Sequence, residues 1–158
     1  MLVLGSPKAG RSTLCRFVSG GAAAACVVTA SACGMRRSAG HVAKRASCWH
    51  VYEECVKVAE CVRAVGCLYD VVVVDGLAAW VACLVALGFN AMLEVDKLLM
   101  ALKAATAKVV VVSTLELASN SSLAARSYND LLSVANQQLA RKLARVYLLV
   151  CGLKLRLK

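Results

Sequence analysis

Near the start of the chain, Gly5-Ser6-Pro7-Lys8-Ala9-Gly10-Arg11-Ser12-Thr13 follows directly on the apolar run Leu2-Val3-Leu4. The spacing is that of a phosphate-binding loop, with Arg11 where lysine is usual and hydroxyl residues after it. Such a loop needs glycine because bare backbone N–H groups must wrap anionic oxygens. The helix that follows then points its positive end at the same group. The pattern predicts a strand over Leu2–Leu4, a turn, and a helix from Gly10 to about Val18 that Gly20-Gly21 ends. In that setting the Arg11 cation reaches the outer phosphates and the Ser12 hydroxyl holds magnesium. Arginine keeps the charge of lysine but is longer and planar, so the exchange changes the clamp. The plain alternative is a glycine-rich turn between a strand and a helix.

The rest of the chain continues the alternation of strand and helix. Cys26–Ala30 reads as a second short strand. From Ser31 to Ser47, Arg36, Arg37, Lys44 and Arg45 surround His41, too basic and glycine-spaced for a core segment. Trp49–Val65 reads as a helix, with Cys55, Val58, Val62 and Val65 recurring every three or four residues. Val71-Val72-Val73-Val74-Asp75 is the clearest strand, and it ends on a carboxylate suited to magnesium or its water. Helices follow over Leu77–Leu87 and Glu94–Ala105, then a valine strand over Lys108–Ser113. A long amphipathic helix spans Ser122–Ala144 and a strand spans Val146–Cys151. Leu153, Leu155 and Leu157 then alternate with Lys154, Arg156 and Lys158, which predicts a half-exposed edge strand. Strands alternating with helices imply an α/β fold, a mainly parallel sheet with helices on both faces. Ligands bind at the carboxyl ends of the strands in such a sheet, where Gly5–Thr13 and Asp75 both fall.

Composition narrows the partners. The 158 residues carry a net charge of +10, which suits anionic ligands without choosing among them. One domain over residues 1–158 is expected. The nine cysteines form no C-x-x-C pair, so they read as reduced, buried small hydrophobes of a cytoplasmic protein, not as zinc ligands. The chain opens directly on a strand, which predicts no leader. Gly76–Leu93 is free of charge over nearly spanning length. Its breaks at Gly88 and Asn90 and its acidic flanks predict a buried helix and no membrane span.

Several segments, in order, resemble the bifunctional adenosylcobinamide kinase / adenosylcobinamide-phosphate guanylyltransferase family of cobalamin biosynthesis. Leu2–Thr13 resembles its L-V-L-G-G-x-x-S-G-K-S. The segment ending Val74-Asp75-Gly76-Leu77-Ala78-Ala79-Trp80 resembles its V-x-V-D-C-L-T-x-W. Arg126 to Ala140, with Tyr128, Asp130, Asn136, Gln137 and Leu139, resembles its R-x-F-R-D-x-x-G-x-x-N-Q-x-L-A. Gly152–Lys158 resembles its closing G-L-P-L-x-L-K. Arg37, His41, Arg45, Trp49 and Glu53 keep the spacing of its R-I-x-x-H, the arginine four residues on, and W-x-T-x-E.

The resemblance implies a P-loop NTPase fold of the RecA-like kind and two reactions on one nucleotide site. A phosphoryl group passes from ATP or GTP to the hydroxyl of adenosylcobinamide. His41 then attacks the α-phosphate of GTP, and the guanylyl group passes to adenosylcobinamide phosphate. Gly5, Ser6, Pro7, Lys8, Ala9, Gly10, Arg11, Ser12 and Thr13, with Arg37, Arg45, Glu53 and Asp75, would bind the nucleotide. Ser12 and Asp75 would hold Mg2+. Assembly as a homotrimer is implied, with no nucleic-acid partner. Three other readings stay open at this point: a degenerate member, a different nucleotide kinase on the same scaffold, or a basic nucleic-acid-binding module with a vestigial loop. The last would want basic residues in a stripe and an aromatic-rich sheet face, and neither is visible.

Overall fold

The computed structural model describes residues 1–5, 23–29, 49–115 and 123–158. Within them lie seven strands: β1 Leu2–Gly5, β2 Ala24–Thr29, β3 Trp49–Glu54, β4 Val71–Asp75, β5 Lys108–Ser113, β6 Val146–Val150 and β7 Leu153–Arg156. The described helices are α1 Val58–Val65, α2 Leu77–Ala86, α3 Ala91–Ala104 and α4 Leu123–Lys142. The sheet order is β3-β2-β4-β5-β1-β6-β7. Each neighbouring pair is parallel except β6 with β7. The mainly parallel α/β sheet expected from the strand–helix alternation is therefore present.

Handedness explains where the described helices lie. The steps β3 to β4, β4 to β5 and β5 to β6 all run in one direction across the sheet. Right-handed crossovers then put every intervening helix on the same face. All four helices do share one core there. Val62 of α1, Trp80 of α2, Leu98 of α3 and Leu139 of α4 are fully buried against Leu2, Val72 and Val111 of the sheet. On the opposite face Val3, Val71, Val73, Val110, Val112 and Leu149 form a second buried cluster. Burial on both faces is why the strands read as unbroken valine runs and do not alternate with polar residues. The helix read from Gly10 to Val18 lies outside the described residues.

The helix expected over Trp49–Val65 is corrected. Its first part is β3, paired in parallel with β2. Trp49 and Val51 pack on the second cluster while Tyr52 packs on the first, a period of two and not 3.6. The Glu54 carboxylate then accepts the N–H groups of Val56 at 2.9 Å and Lys57 at 3.0 Å and turns the chain into α1. The helical stripe is real only from Val58 onward, and Cys55 lies in the turn. Aromatic and β-branched side chains at 49, 51 and 52 fit a pleated surface, and that preference wins over the apparent stripe.

Three further expectations shift. In the uncharged stretch 76–93 the helix expected over Leu77–Leu87 is α2, and the one expected from Glu94 starts earlier, at Ala91. Gly88 adopts φ +73, and the Asn90 side chain accepts the Leu93 N–H at 3.1 Å, so a second helix starts there. No described helix is long and apolar enough to cross a membrane. β7 is an edge strand, but exposed on both sides: Leu153 and Leu155 are 75% and 58% exposed, and Leu157 just after it is 54% exposed. Its hairpin turn is Cys151-Gly152, both at positive φ, the conformation that two-residue hairpins favour. Among Cys55, Cys61, Cys67, Cys83 and Cys151, all free thiols, only Cys83 is buried, and Cys67 and Cys151 are exposed because they sit in turns.

The ends of α1 and α3 meet at Gly66. A Cβ there would lie 2.6 Å from the Val62 carbonyl oxygen and 2.9 Å from the Ala105 Cβ. Gly66→Ala is expected to lower stability by about 1–3 kcal/mol, read by urea unfolding. A second prediction concerns pH. Burial works to raise the Glu54 pKa, but the N–H groups of Val56, Lys57 and Cys55 and the Lys57 charge outweigh it and hold it below its ordinary 4.5. A depressed carboxylate pKa stabilises the fold fully above the unfolded value, and that gain is lost as pH falls through the folded one. Glu54→Gln should cost about 0.5 kcal/mol at neutral pH, small because solvent screens the group. The two unfolding curves should converge in acid.

Candidate active site at the carboxyl edge of the sheet

β1 is the switch point of this sheet. The chain leaves it toward β2 on one side, and it later crosses from β5 to β6 over it. In open α/β sheets the ligand crevice forms outside the carboxyl ends at such a point. Gly5 closes β1, is buried, and stands level with Leu149 of β6. Its neighbour Leu4 is level with Ser113, the last residue of β5.

Two carboxylates lie along the same edge. Asp75 ends β4 and pairs in register with Val28 of β2, and Glu53 of β3 pairs with Val28 from the other side. The two acids are therefore at one level, separated by a single strand. They also share a face. Val71 and Val73 precede Asp75 at a period of two, as Trp49 and Val51 precede Glu53, and all four pack on the second cluster. Asp75 is half-buried and Glu53 exposed. Glu54, one residue on, points to the helix-bearing face and is spent on its turn.

Strand spacing sets the scale. Strands lie about 4.8 Å apart, so Asp75 is about 10 Å from β1 and Glu53 is about 19 Å from it. A compact ion cannot touch both ends of that row, whereas an elongated ligand can. Asp75 supplies hard oxygen donors. Among the described residues no group of three or more potential metal ligands occurs. Magnesium is commonly held by one or two carboxylates together with substrate phosphates, and a strand-end aspartate fits that mode.

The backbone behind Asp75 explains a glycine. Gly76 takes φ +105, ψ 48, which L side chains rarely adopt, and this lets β4 turn straight into α2. Its N–H donates to the Val112 carbonyl at 3.3 Å. Trp80, one turn on, is fully buried, and its indole N–H donates to the Val56 carbonyl at 3.1 Å.

Of the residues named from sequence, Gly5, Asp75 and Glu53 are brought to one edge. Ser6, Pro7, Lys8, Ala9, Gly10, Arg11, Ser12, Thr13, Arg37, His41 and Arg45 lie outside the described residues. His50, the other histidine, is exposed and packs at a tilt against Tyr69, with ring centroids 5.4 Å apart.

Sequence reasoning passed over two polar contacts at this edge. The Tyr128 hydroxyl donates to the Ala78 carbonyl at 3.1 Å, and burial pushes its phenol pKa up. The Asn136 amide donates to the Thr114 carbonyl at 3.3 Å, just beyond β5. Tyr128 sits within the apolar stripe of α4 and so reads as core. The general rule that a buried tyrosine hydroxyl finds a partner is the signal that could have found it.

The chain matches no curated protein. The sequence model of the family described as cobinamide kinase / cobinamide phosphate guanyltransferase (CobU) matches residues 1–157. With that match over nearly every residue, on a parallel sheet whose carboxyl edge gathers Gly5, Asp75 and Glu53, the chain belongs to the CobU family of bifunctional cobinamide kinases and guanylyltransferases of cobalamin biosynthesis.

Proposed function

We propose that this chain carries out both transfers of its family on a single nucleotide site. In the first, the γ-phosphoryl group of ATP or GTP passes to the aminopropanol hydroxyl of adenosylcobinamide, whose proton leaves. In the second, the neutral imidazole of His41 attacks the α-phosphorus of GTP and the bond to the β-phosphate oxygen breaks, releasing pyrophosphate. The guanylyl group then moves from His41 to the phosphate of adenosylcobinamide phosphate, giving adenosylcobinamide-GDP. Imidazole suits this chemistry because it is uncharged near neutral pH and its phosphoramidate is reactive enough to pass the group on.

The single observation that carries the reading, beside the family match, is the row Gly5, Asp75 and Glu53 along one edge. Its length calls for an elongated ligand with its phosphates at the β1 end. In this proposal the backbone N–H groups of Gly5–Thr13 cradle the phosphates and Arg11 reaches the outer ones. Arg37 and Arg45, four residues either side of His41, neutralise the triphosphate. Ser12 and Asp75 hold magnesium, which withdraws charge from the phosphoryl oxygens when bound. Glu53, farthest from Gly5, faces the nucleoside end, where an acceptor-only carboxylate can take N–H or hydroxyl donors.

The test is incubation with α-labelled GTP and magnesium. Acid-labile label should appear on the native chain and vanish in His41→Ala; a native chain that takes no label overturns the guanylyl step. Phosphorylation of adenosylcobinamide is assayed separately. There Asp75→Asn should lower turnover by about a hundredfold, the scale for losing one electrostatic partner of the transition state. Turnover unchanged in that variant removes Asp75 from the site.

A further inference from the structure

Separate elements of the fold contribute contacts to the turn behind Asp75. Gly76 donates from its backbone to Val112 of β5 at 3.3 Å. Trp80 reaches the Val56 carbonyl, in the turn between β3 and α1, at 3.1 Å. Tyr128 of α4 reaches the Ala78 carbonyl, in the first turn of α2, at 3.1 Å.

α2 has little of its own to fix that end. Its N-cap is a glycine with no side chain to offer, its first turn has no acidic residue, and its ten residues carry no charge. With no side-chain cap to fix it, the position of this turn depends on the bonds its backbone makes to neighbouring elements; the Tyr128 hydroxyl donates to a carbonyl there and anchors the turn without capping its N–H groups. The backbone bond of Gly76 acts at the first residue of the turn. Trp80 is bound into the core one full turn later. The Tyr128 hydroxyl grips the residue between them.

The route of α4 gives this contact its meaning. α4 leaves β5 and leads to β6, the two strands that flank β1. Tyr128 therefore ties the Asp75 turn to the element that spans the strands beside Gly5.

We infer that Tyr128 is a positioning residue for Asp75: its hydroxyl clamps the Asp75–Ala78 turn onto α4 and so sets where the carboxylate stands relative to the end of β1. The inference rests on the proposed role of Asp75 at the magnesium of the bound nucleotide. Tyr128 itself touches no reacting group. Its phenol is a donor throughout the neutral range, as any tyrosine is, and burial raises its pKa further above that range.

The experiment compares the full chain with Tyr128→Phe, Asp75→Asn and the double variant. GTP affinity is measured by titration with and without magnesium chloride, alongside kcat and KM for the phosphoryl transfer and thermal midpoints. Tyr128→Phe removes one oxygen and leaves the ring packing. Its midpoint should drop by no more than about 4 °C. GTP affinity without magnesium should be unchanged. The gain in affinity on adding magnesium should shrink by about three- to tenfold, the scale of one hydrogen bond. kcat should fall by a similar factor while KM for adenosylcobinamide stays put. In the Asp75→Asn background the same exchange should have no further effect, because groups that act through one another are not additive. A Tyr128→Phe chain with the native magnesium response overturns the inference, as does an equal loss with and without Asp75. If Asp75→Asn alone leaves the magnesium response intact, the proposed role of Asp75 fails first, whatever Tyr128 does.

Discussion

Burial of both faces of a parallel sheet is the constraint from which the rest follows. Val71–Val74 and Val109–Val112 are buried almost completely, alternate residues contributing to two separate cores. A strand placed this way has no room for a polar side chain along its length. Polar groups are displaced to where the strands stop. In a parallel sheet the strands stop together, so their terminal residues line up on one edge. Asp75 and Glu53 stand at one level of that edge for that reason, one strand apart, although 21 intervening residues separate them in sequence.

The same constraint decides which acid does what. Glu53 and Glu54 are adjacent and chemically alike. The pleat sends Glu53 toward the face it shares with Asp75 and Glu54 toward the helices, where it gathers the N–H groups of Val56 and Lys57. One becomes a candidate ligand group and the other a turn former through a single step in register. The glycine behind Asp75 follows from the same economy of space. The chain must turn from β4 into α2 within one residue, and φ +105 is open there only to a residue without a Cβ.

The helical layer is built to support that edge. α1, α2, α3 and α4 all lie on one face because the three crossovers share a direction and a hand. Side chains from this layer reach carbonyl groups near the edge: Trp80 to Val56, Tyr128 to Ala78, Asn136 to Thr114. Each fixes a backbone segment that begins where a strand ends. Loops beyond a strand carry the chemistry in α/β proteins, and their take-off points need such fastening.

Much of this is legible in the residues themselves. Strict valine runs ending in a carboxylate or a serine can only be buried strands. The three- and four-residue spacing of Val95, Leu98 and Leu99, or of Leu132, Ala135 and Leu139, can only be a helix with one apolar face. The Gly5–Thr13 pattern, Asp75 and the Glu53 spacing follow from motif and chemistry. The segment 49–54 misleads because Cys55 and Val58 carry the helical spacing of Val62 and Val65 back toward it, and over so few residues local pattern cannot choose between a period of two and one of 3.6. Pairing with β2 makes the choice, since its donors and acceptors need partners. The exposure of Leu153, Leu155 and Leu157 is equally invisible, because alternation marks two sides of a strand without saying whether anything covers either. The residues alone thus determined the element types outside 49–54 and the chemical groups at strand ends. The order of strands, the common face of Asp75 and Glu53, and the contact of Tyr128 with Ala78 belong to the tertiary structure, because each is a distance between segments remote in sequence.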